Sequence, residues 1–313
     1  RARLWRYGRA ATLVAIAVAL SAGTIARNAE YGSSLSLYRT VVQRWPTSLS
    51  HHILGGALMT AGLHEEAITE LRAALPGAPR AHYDLGVELF NAGKLDDAIT
   101  HLQALVDLWQ SPPVAHPFWQ APVRGDVAGA RLILGRAFAQ QRRWPEASHQ
   151  FEQVVTMAPE HVEAHQLLAA SLFSAGRLEQ AAAHYVTYLA NRPDDVDALT
   201  NFGIALVAAG KNDEAVVQFR RAVEVDPENG RLRRNLANSL FDLRQIDEAA
   251  VHADRAASLR PDDPAAIVLL GQVLAVQGEL AEASRQFERA LQLDPMHEDA
   301  RRHLDMLRRY TPK

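Results

Sequence analysis

The chain has 313 residues, 48% hydrophobic and 22% charged, with a formal net charge of −3 and no cysteine. These proportions belong to a folded protein, and a weakly negative balance excludes the basic footprint of a nucleic-acid binder. Without thiols there are no disulfides, no thiolate nucleophile and no cysteine-based zinc site. The chain opens on Arg1 rather than Met and reads as an internal or trimmed segment of a longer protein.

Residues 10–26, AATLVAIAVALSAGTIA, are uncharged and mostly apolar, bounded by Arg9 and Arg27. That length stands at the short end of what crosses a bilayer, about 17–25 residues. Arg1, Arg3, Arg6 and Arg9 precede the segment, with Trp5 and Tyr7 placed as interface anchors, while Arg27 and Glu30 are the charges just after it. This bias puts the N-terminus in the cytoplasm and the rest of the chain outside, periplasmic or extracellular. Residues 1–27 are therefore expected to be a membrane-spanning or anchor helix with a basic flank. A signal peptide cleaved among Ala19, Ser21, Ala22 and Gly23 is one alternative, and a helix packed on the following repeats is another.

Self-similarity decides the fold beyond this point. Leu134, Leu168, Phe202, Leu236 and Leu270 are 34 residues apart, each followed by glycine or alanine. Thirteen residues after each comes an alanine (Ala147, Ala181, Ala215, Ala249, Ala283), and 25 after comes a proline (Pro159, Pro193, Pro227, Pro261, Pro295). Two earlier units keep the pattern, led by Leu54-Gly55 and Leu85-Gly86, with Ala67 and Ala98 at the alanine position. Residues 28–47 form a degenerate half repeat, with Tyr38, Val41, Val42 and Pro46 where a second helix and its closing proline belong.

Each position has a physical reason. The leading apolar residue and the one four further on, such as Phe202 and Leu206, share one helix face. The small residue beside the first lets two helices approach closely. Gly62, Gly93, Gly176, Gly210 and Gly278 end the first helix, where glycine adopts the left-handed conformation cheaply. Arg142 and Arg244 stand at that position in two units, whose turns must be strained or differently shaped. The proline stops the second helix or starts the next. One such hairpin cannot bury its own apolar face, so neighbours must stack.

On these residues the sequence resembles the tetratricopeptide-repeat (TPR) family over about 48–297, in seven units. The resemblance implies an all-α fold, a TPR right-handed superhelix or α-solenoid, with a transmembrane-like helix before it. Units 1–2 fall in 48–112 and units 3–7 in 129–297. Residues 298–313 form a capping helix with Ala300, Leu304 and Leu307 turned inward. Between units 2 and 3 the spacing breaks over 111–129, where Pro112, Pro113, Pro117 and Pro122 exclude a helix through most of the stretch. This Pro/aromatic-rich insertion, 113–128, carries Phe118 and Trp119 and is either a plug packed on adjacent helices or a partner-facing element.

In this family the first helix of each hairpin lines the concave surface, where partners lie. By register the concave face takes Tyr83, Asp84, Val87, Phe90 and Asn91, then Arg136 and Gln140, Gln166 and Phe173, Thr200 and Asn201, and last Arg231, Arg234, Asn235, Asn238, Phe241 and Asp242. Arg231, Arg234, Asn235 and Asn238 recur at i, i+3, i+4 and i+7 and so share one face. Two guanidinium groups and two amides there could hold a carboxylate and a peptide backbone together. The arrangement resembles the carboxylate clamp of chaperone-binding repeats and the asparagine row of sugar-transferase repeat arrays, although only Asn201 and Asn235 occupy equivalent positions. The plainer alternative is a solvated polar face beside Asp226, Glu228 and Asp242.

No catalytic constellation is found. His161 and His165 stand one turn apart and His51 and His52 are adjacent, but no HExxH and no third ligand with a recognisable spacing accompanies them. His165 reads as helix surface. No nucleotide-binding or nucleophile-elbow motif occurs. Asp96-Asp97, Asp194-Asp195 and Asp262-Asp263 sit at helix N-termini, where they meet the helix dipole. No cofactor, metal or nucleic acid is expected, and no enzymatic activity of this chain; the expected partners are a protein or peptide ligand and, through residues 10–26, a membrane.

The junction narrows the resemblance further. Arg27-Asn28, Tyr31, Leu37-Tyr38, Trp45-Pro46 and Leu54-Gly55 are similar to the stretch where the last membrane helix meets exoplasmic repeats in bacterial relatives of TPR-containing O-mannosyltransferases. Two functions follow. One is a membrane-tethered interaction scaffold that binds a peptide or partner protein on its concave surface. The other is the acceptor-recruiting region of a multi-span membrane glycosyltransferase whose catalytic part is not in this chain.

Overall fold

The computed structural model describes residues 34–75, 77–110 and 124–310. The expected membrane or anchor segment and the part of the insertion that holds Phe118 and Trp119 lie outside the described residues. Among those described there are sixteen helices and no strand, and none of these helices is long and apolar enough to cross a membrane.

A lone helix α1 (Ser34–Arg44) comes first, followed by hairpins of a first and a second helix: α2 (Ser48–Thr60) with α3 (His64–Ala74), and α4 (Ala81–Asn91) with α5 (Leu95–Gln110). Then come α6 (Arg124–Gln140) and α7 (Trp144–Met157), α8 (Val162–Ser174) and α9 (Leu178–Asn191), and α10 (Val196–Ala208) and α11 (Asn212–Val225). The last are α12 (Gly230–Asp242) with α13 (Ile246–Leu259), α14 (Pro264–Gln277) with α15 (Leu280–Leu293), and the closing α16 (Glu298–Tyr310). These helices divide into two compact bodies, α1–α6 and α7–α16, parted after Arg142. Within each body successive helices pack in chain order, and first helices also touch first helices: α2 with α4, α4 with α6, α8 with α10, α12 with α14, α14 with α16.

The third repeat starts earlier than its spacing predicts. Helix α6 begins at Arg124, so residues 124–128 of the expected insertion are helical. That stretch holds no proline, Asp126 meets the helix dipole in the first turn, and Val127 is fully buried. The apolar stripe of the helix thus begins before the repeat pattern becomes recognisable.

What fixes the hairpins is close approach at the crossing. Were Gly55 given a Cβ, that atom would stand 2.8 Å from Leu71 Cδ2; the same addition at Gly86 meets Leu102 at 2.5 Å. At Gly203 and Gly271 the atom would meet the rings of Phe219 and Phe287 at 2.5 and 2.7 Å. On the facing helices Ala67, Ala98, Ala181, Ala215, Ala249 and Ala283 are completely buried. Small residues therefore face large ones across the seam, and the large ones are among the most deeply buried side chains, Phe219 and Phe287 included.

The turn between helices needs a left-handed residue. Gly278, with φ of 88°, shows the usual solution, while Arg142 and Arg244 adopt φ of 58° and 61° in the same place. A side chain there costs about 1–2 kcal/mol. The turn keeps its shape because Arg142 N and Arg244 N bond to the carbonyls of Ala139 and Phe241. The first helices also share a cap 34 residues apart: His161 Nδ1, Asp195 Oδ1, Asn229 Oδ1, Asp263 Oδ1 and His297 Nδ1 each accept a backbone N–H of the first turn. At the end of the chain, Ala300, Leu304 and Leu307 of α16 are buried, and its opposite side is charged.

Since the Phe219 ring cannot swing aside like the end of a flexible chain, Gly203→Ala is expected to destabilise the protein by about 1–3 kcal/mol. Guanidinium denaturation of the substituted and parent chains checks this.

Candidate functional site

In the second body a groove of about 360 Å³ opens along α12, α14 and the start of α16. Arg234, Asn235 and Asn238 form one wall, Ala265, Val268, Leu269 and Gln272 the floor and second wall, and His297 with Asp299 the end. The 34-residue period builds it: Val268, Leu269 and Gln272 repeat the register of Arg234, Asn235 and Asn238, and His297 and Asp299 repeat that of Asp263 and Ala265. Val268 and Leu269 are each 4% exposed, so the floor is apolar and closely packed.

Polar groups around the floor differ in how committed they are. Asp263 caps α14 through Oδ1 and receives Arg234 Nη1 on Oδ2 at 2.9 Å, with Arg260 Nη1 at 3.3 Å. Arg234, expected to be available for a ligand carboxylate, is therefore already engaged. Arg233 donates to Pro227 O at 2.6 Å. Gln272 Nε2 donates to His303 Nε2 at 2.9 Å, and the His303 ring stacks on Phe287. Burial, and then Arg302, push the His303 imidazole below its ordinary pKa, which suits its role as a neutral acceptor. By contrast, the Asn235 and Asn238 amides have no side-chain hydrogen bond among the described residues, and the exposed Arg231 guanidinium has no partner there either.

The structure thus brings three of the four residues of the expected face, Arg234, Asn235 and Asn238, into one groove. Arg231 stays on the same helix outside the lining, and Phe241 is half-buried at the helix end. Elsewhere in the second body, Gln166 and Phe173 are half-buried on α8. Asn201 lies beside the Tyr185 hydroxyl, which is buried without a well-formed hydrogen bond and whose pKa burial pushes up to about 12. His165 does not lie on the helix surface as expected: it is buried, its Nδ1 at 3.2 Å from His184 Nδ1 and its Nε2 at 2.9 Å from Pro159 O.

In the first body, Tyr83 packs its hydroxyl over Gly129, where an added Cβ would stand 2.7 Å from it, and burial followed by Asp84 and Asp126 raises its pKa. Asp84 is held by His52 Nε2 at 2.6 Å. Phe90 rests on the core cluster of Leu71, Leu85 and Leu89, and Asn91 is exposed at the end of α4. Among the described residues no three His, Cys, Asp or Glu side chains converge as metal ligands. The groove residues absent from the sequence expectation, Val268, Leu269, Gln272, His297 and Asp299, could have been found by adding one period to those of the preceding repeat.

The double duty of Asp263 can be separated. Asp263→Asn, which keeps the cap and drops the charge, should cost less than about 1 kcal/mol; Asp263→Ala, which loses both, should cost about 1–2 kcal/mol. Urea denaturation of the two variants measures the difference.

A family model described as the tetratricopeptide repeat matches residues 26–82, 70–113, 125–196 and 200–264, and a second of the same description matches 240–308. No curated protein matches the chain. Among solved structures, the C-terminal part of a TPR repeat-containing protein from Cytophaga hutchinsonii is similar, with 14% identity and a TM-score of 0.59, covering 80% of this chain and 98% of that one. YrrB, described as a TPR protein with an unusual peptide-binding site, is similar at 15% identity and a TM-score of 0.53, covering 56% of this chain and 91% of its own. MamA is similar at 17% identity and a TM-score of 0.52, covering 55% of this chain and 93% of its own. At these identities the likeness is one of fold.

Proposed function

Because the chain belongs to the tetratricopeptide-repeat family, we propose that it is a protein-binding scaffold that takes an extended peptide segment in the groove along α12, α14 and α16. The supporting observation is the pair of uncommitted amides, Asn235 and Asn238, beside a buried apolar floor. An asparagine amide can donate to one peptide carbonyl and accept from one peptide N–H, so it reads backbone rather than sequence. Val268 and Leu269 offer an apolar seat for one side chain of the segment. The free guanidinium of Arg231 at the rim suits an acidic group of the ligand, whereas Arg234 is held in place by Asp263 and shapes the wall. The peptide-binding site in the description of YrrB fits this use of the fold.

A finer reading places the scaffold on the outer side of a membrane, tethered by residues 10–26. Its support is the apolar run between a basic flank and the repeats. The junction residues Arg27-Asn28, Tyr31, Leu37-Tyr38 and Trp45-Pro46 favour one version of it, the acceptor-recruiting region of a glycosyltransferase.

Asn235→Ala with Asn238→Ala should weaken binding of a fluorescent acidic peptide about tenfold or more, as loss of two hydrogen bonds implies, with the thermal midpoint unchanged. Equal affinity of parent and variant in a titration would remove the groove from the account. For the tether, the full chain should float with phosphatidylcholine–phosphatidylglycerol vesicles in a density gradient, and Val14→Asp with Val18→Asp should leave it at the bottom.

A further inference from the structure

In several hairpins two polar side chains meet across the seam, 19 residues apart, one from each helix. His51 Nδ1 lies 2.6 Å from Glu70, His82 Nδ1 3.3 Å from His101 Nδ1, His165 Nδ1 3.2 Å from His184 Nδ1, and Arg233 Nη1 3.4 Å from His252 Nδ1. In two of these pairs both partners are imidazoles, with ring centroids 5.4 and 5.3 Å apart.

Two Nδ1 atoms at such distances can hold one proton between them, one ring donating and the other accepting. In the α8–α9 hairpin the assignment is fixed. His165 Nε2 faces the Pro159 carbonyl, which can only accept, so that nitrogen carries its proton and His165 Nδ1 is the bare acceptor. His184 Nδ1–H is then the donor. A second proton would set two N–H groups against each other at 3.2 Å. Arg72 from α3 and Asp97 from α5 face the first pair with opposite effects, and Glu152 from α7 faces the second. The carboxylates favour a charged ring, but burial outweighs them.

We propose that the His82–His101 and His165–His184 pairs are proton-sensitive latches, each closing its hairpin with one shared proton and releasing the two helices when a second proton arrives. In support, burial followed by the partner ring pushes His82 down to about 4 and lowers His184, and burial with Arg72 lowers His101. The sign follows: in the unfolded chain these histidines titrate near 6.5, so below that pH the unfolded state binds more protons. Stability is full above pH 7 and is lost as pH falls from about 6.5 toward 4. The latch in α8 stands beside Gln166 on the first helix of its hairpin, so opening it would also disorder that helix's face.

Native-state hydrogen exchange of the full chain at pH 7.5 and 5.0, corrected for the intrinsic pH dependence of exchange, tests the proposal. Amides of α4–α5 and α8–α9 should lose protection on the order of tenfold at pH 5.0, a figure already reduced for partial solvent access. The loss should vanish in His101→Gln with His184→Gln, since glutamine already fills the second-helix seam position in α11 and α15 as Gln218 and Gln286. An equal loss in parent and variant, or none in the parent, overturns the latch. If the variant does not fold, carbon-13 titration of the parent's histidine rings decides: both rings of either pair charging at or above pH 6.5 contradicts the proposal.

Discussion

The architecture depends on how closely two helices approach where each hairpin crosses. At Gly55, Gly86, Gly203 and Gly271 a single added carbon would stand within 2.8 Å of the facing Leu or Phe. The facing side must in turn be large, to fill the seam, and must have an alanine near it, to admit the neighbour. Leu71 and Phe219 are nearly or wholly buried, and Ala67 and Ala215 are completely so. Dispersion falls off quickly with separation, so a gap of even a methyl group would weaken every contact along the seam. The repeat in the sequence is the record of this requirement, imposed again at each hairpin.

Once the apolar seam is set, polar residues fall into their own registers. The cap position takes His161, Asp195, Asn229, Asp263 and His297, chemically different groups that all present an acceptor to the first turn. The cross-seam position takes carboxylate, imidazole, guanidinium or amide. Positions on the outer side of the first helices meet neither demand, and there Asn235 and Asn238 remain uncommitted above the apolar floor of the next repeat. The proposed binding surface is thus what remains of the first helix after packing, capping and seam have taken their residues.

The parts of this that were legible from the sequence are those that recur. The leading apolar residue, crossing alanine and turn glycine declared the fold, and the arginines at two turn positions left a strained or an altered turn open, of which the structure shows the strained one, with φ of 58° and 61°. Non-periodic features were harder to read. The start of α6 at Arg124 was hidden because its first turn precedes the repeat pattern. The burial of His165 was hidden because its partner, His184, lies on another helix, and a lone polar residue on an amphipathic helix otherwise reads as surface. Arg234 looked available because Asp263, 29 residues later, looked fully explained by the helix dipole; one carboxylate has enough lone pairs to cap the helix and hold the guanidinium as well. The second wall of the groove was readable in principle, since Val268, Leu269 and Gln272 are one period from the residues singled out.

The proposed scaffold holds its ligand on first helices and not on second ones. Hydrogen exchange of the full chain with and without a saturating acidic peptide measures this directly. Added protection should appear in α12, α14 and the start of α16, with α13 and α15 unchanged. Protection concentrated in α13 and α15 would contradict the account.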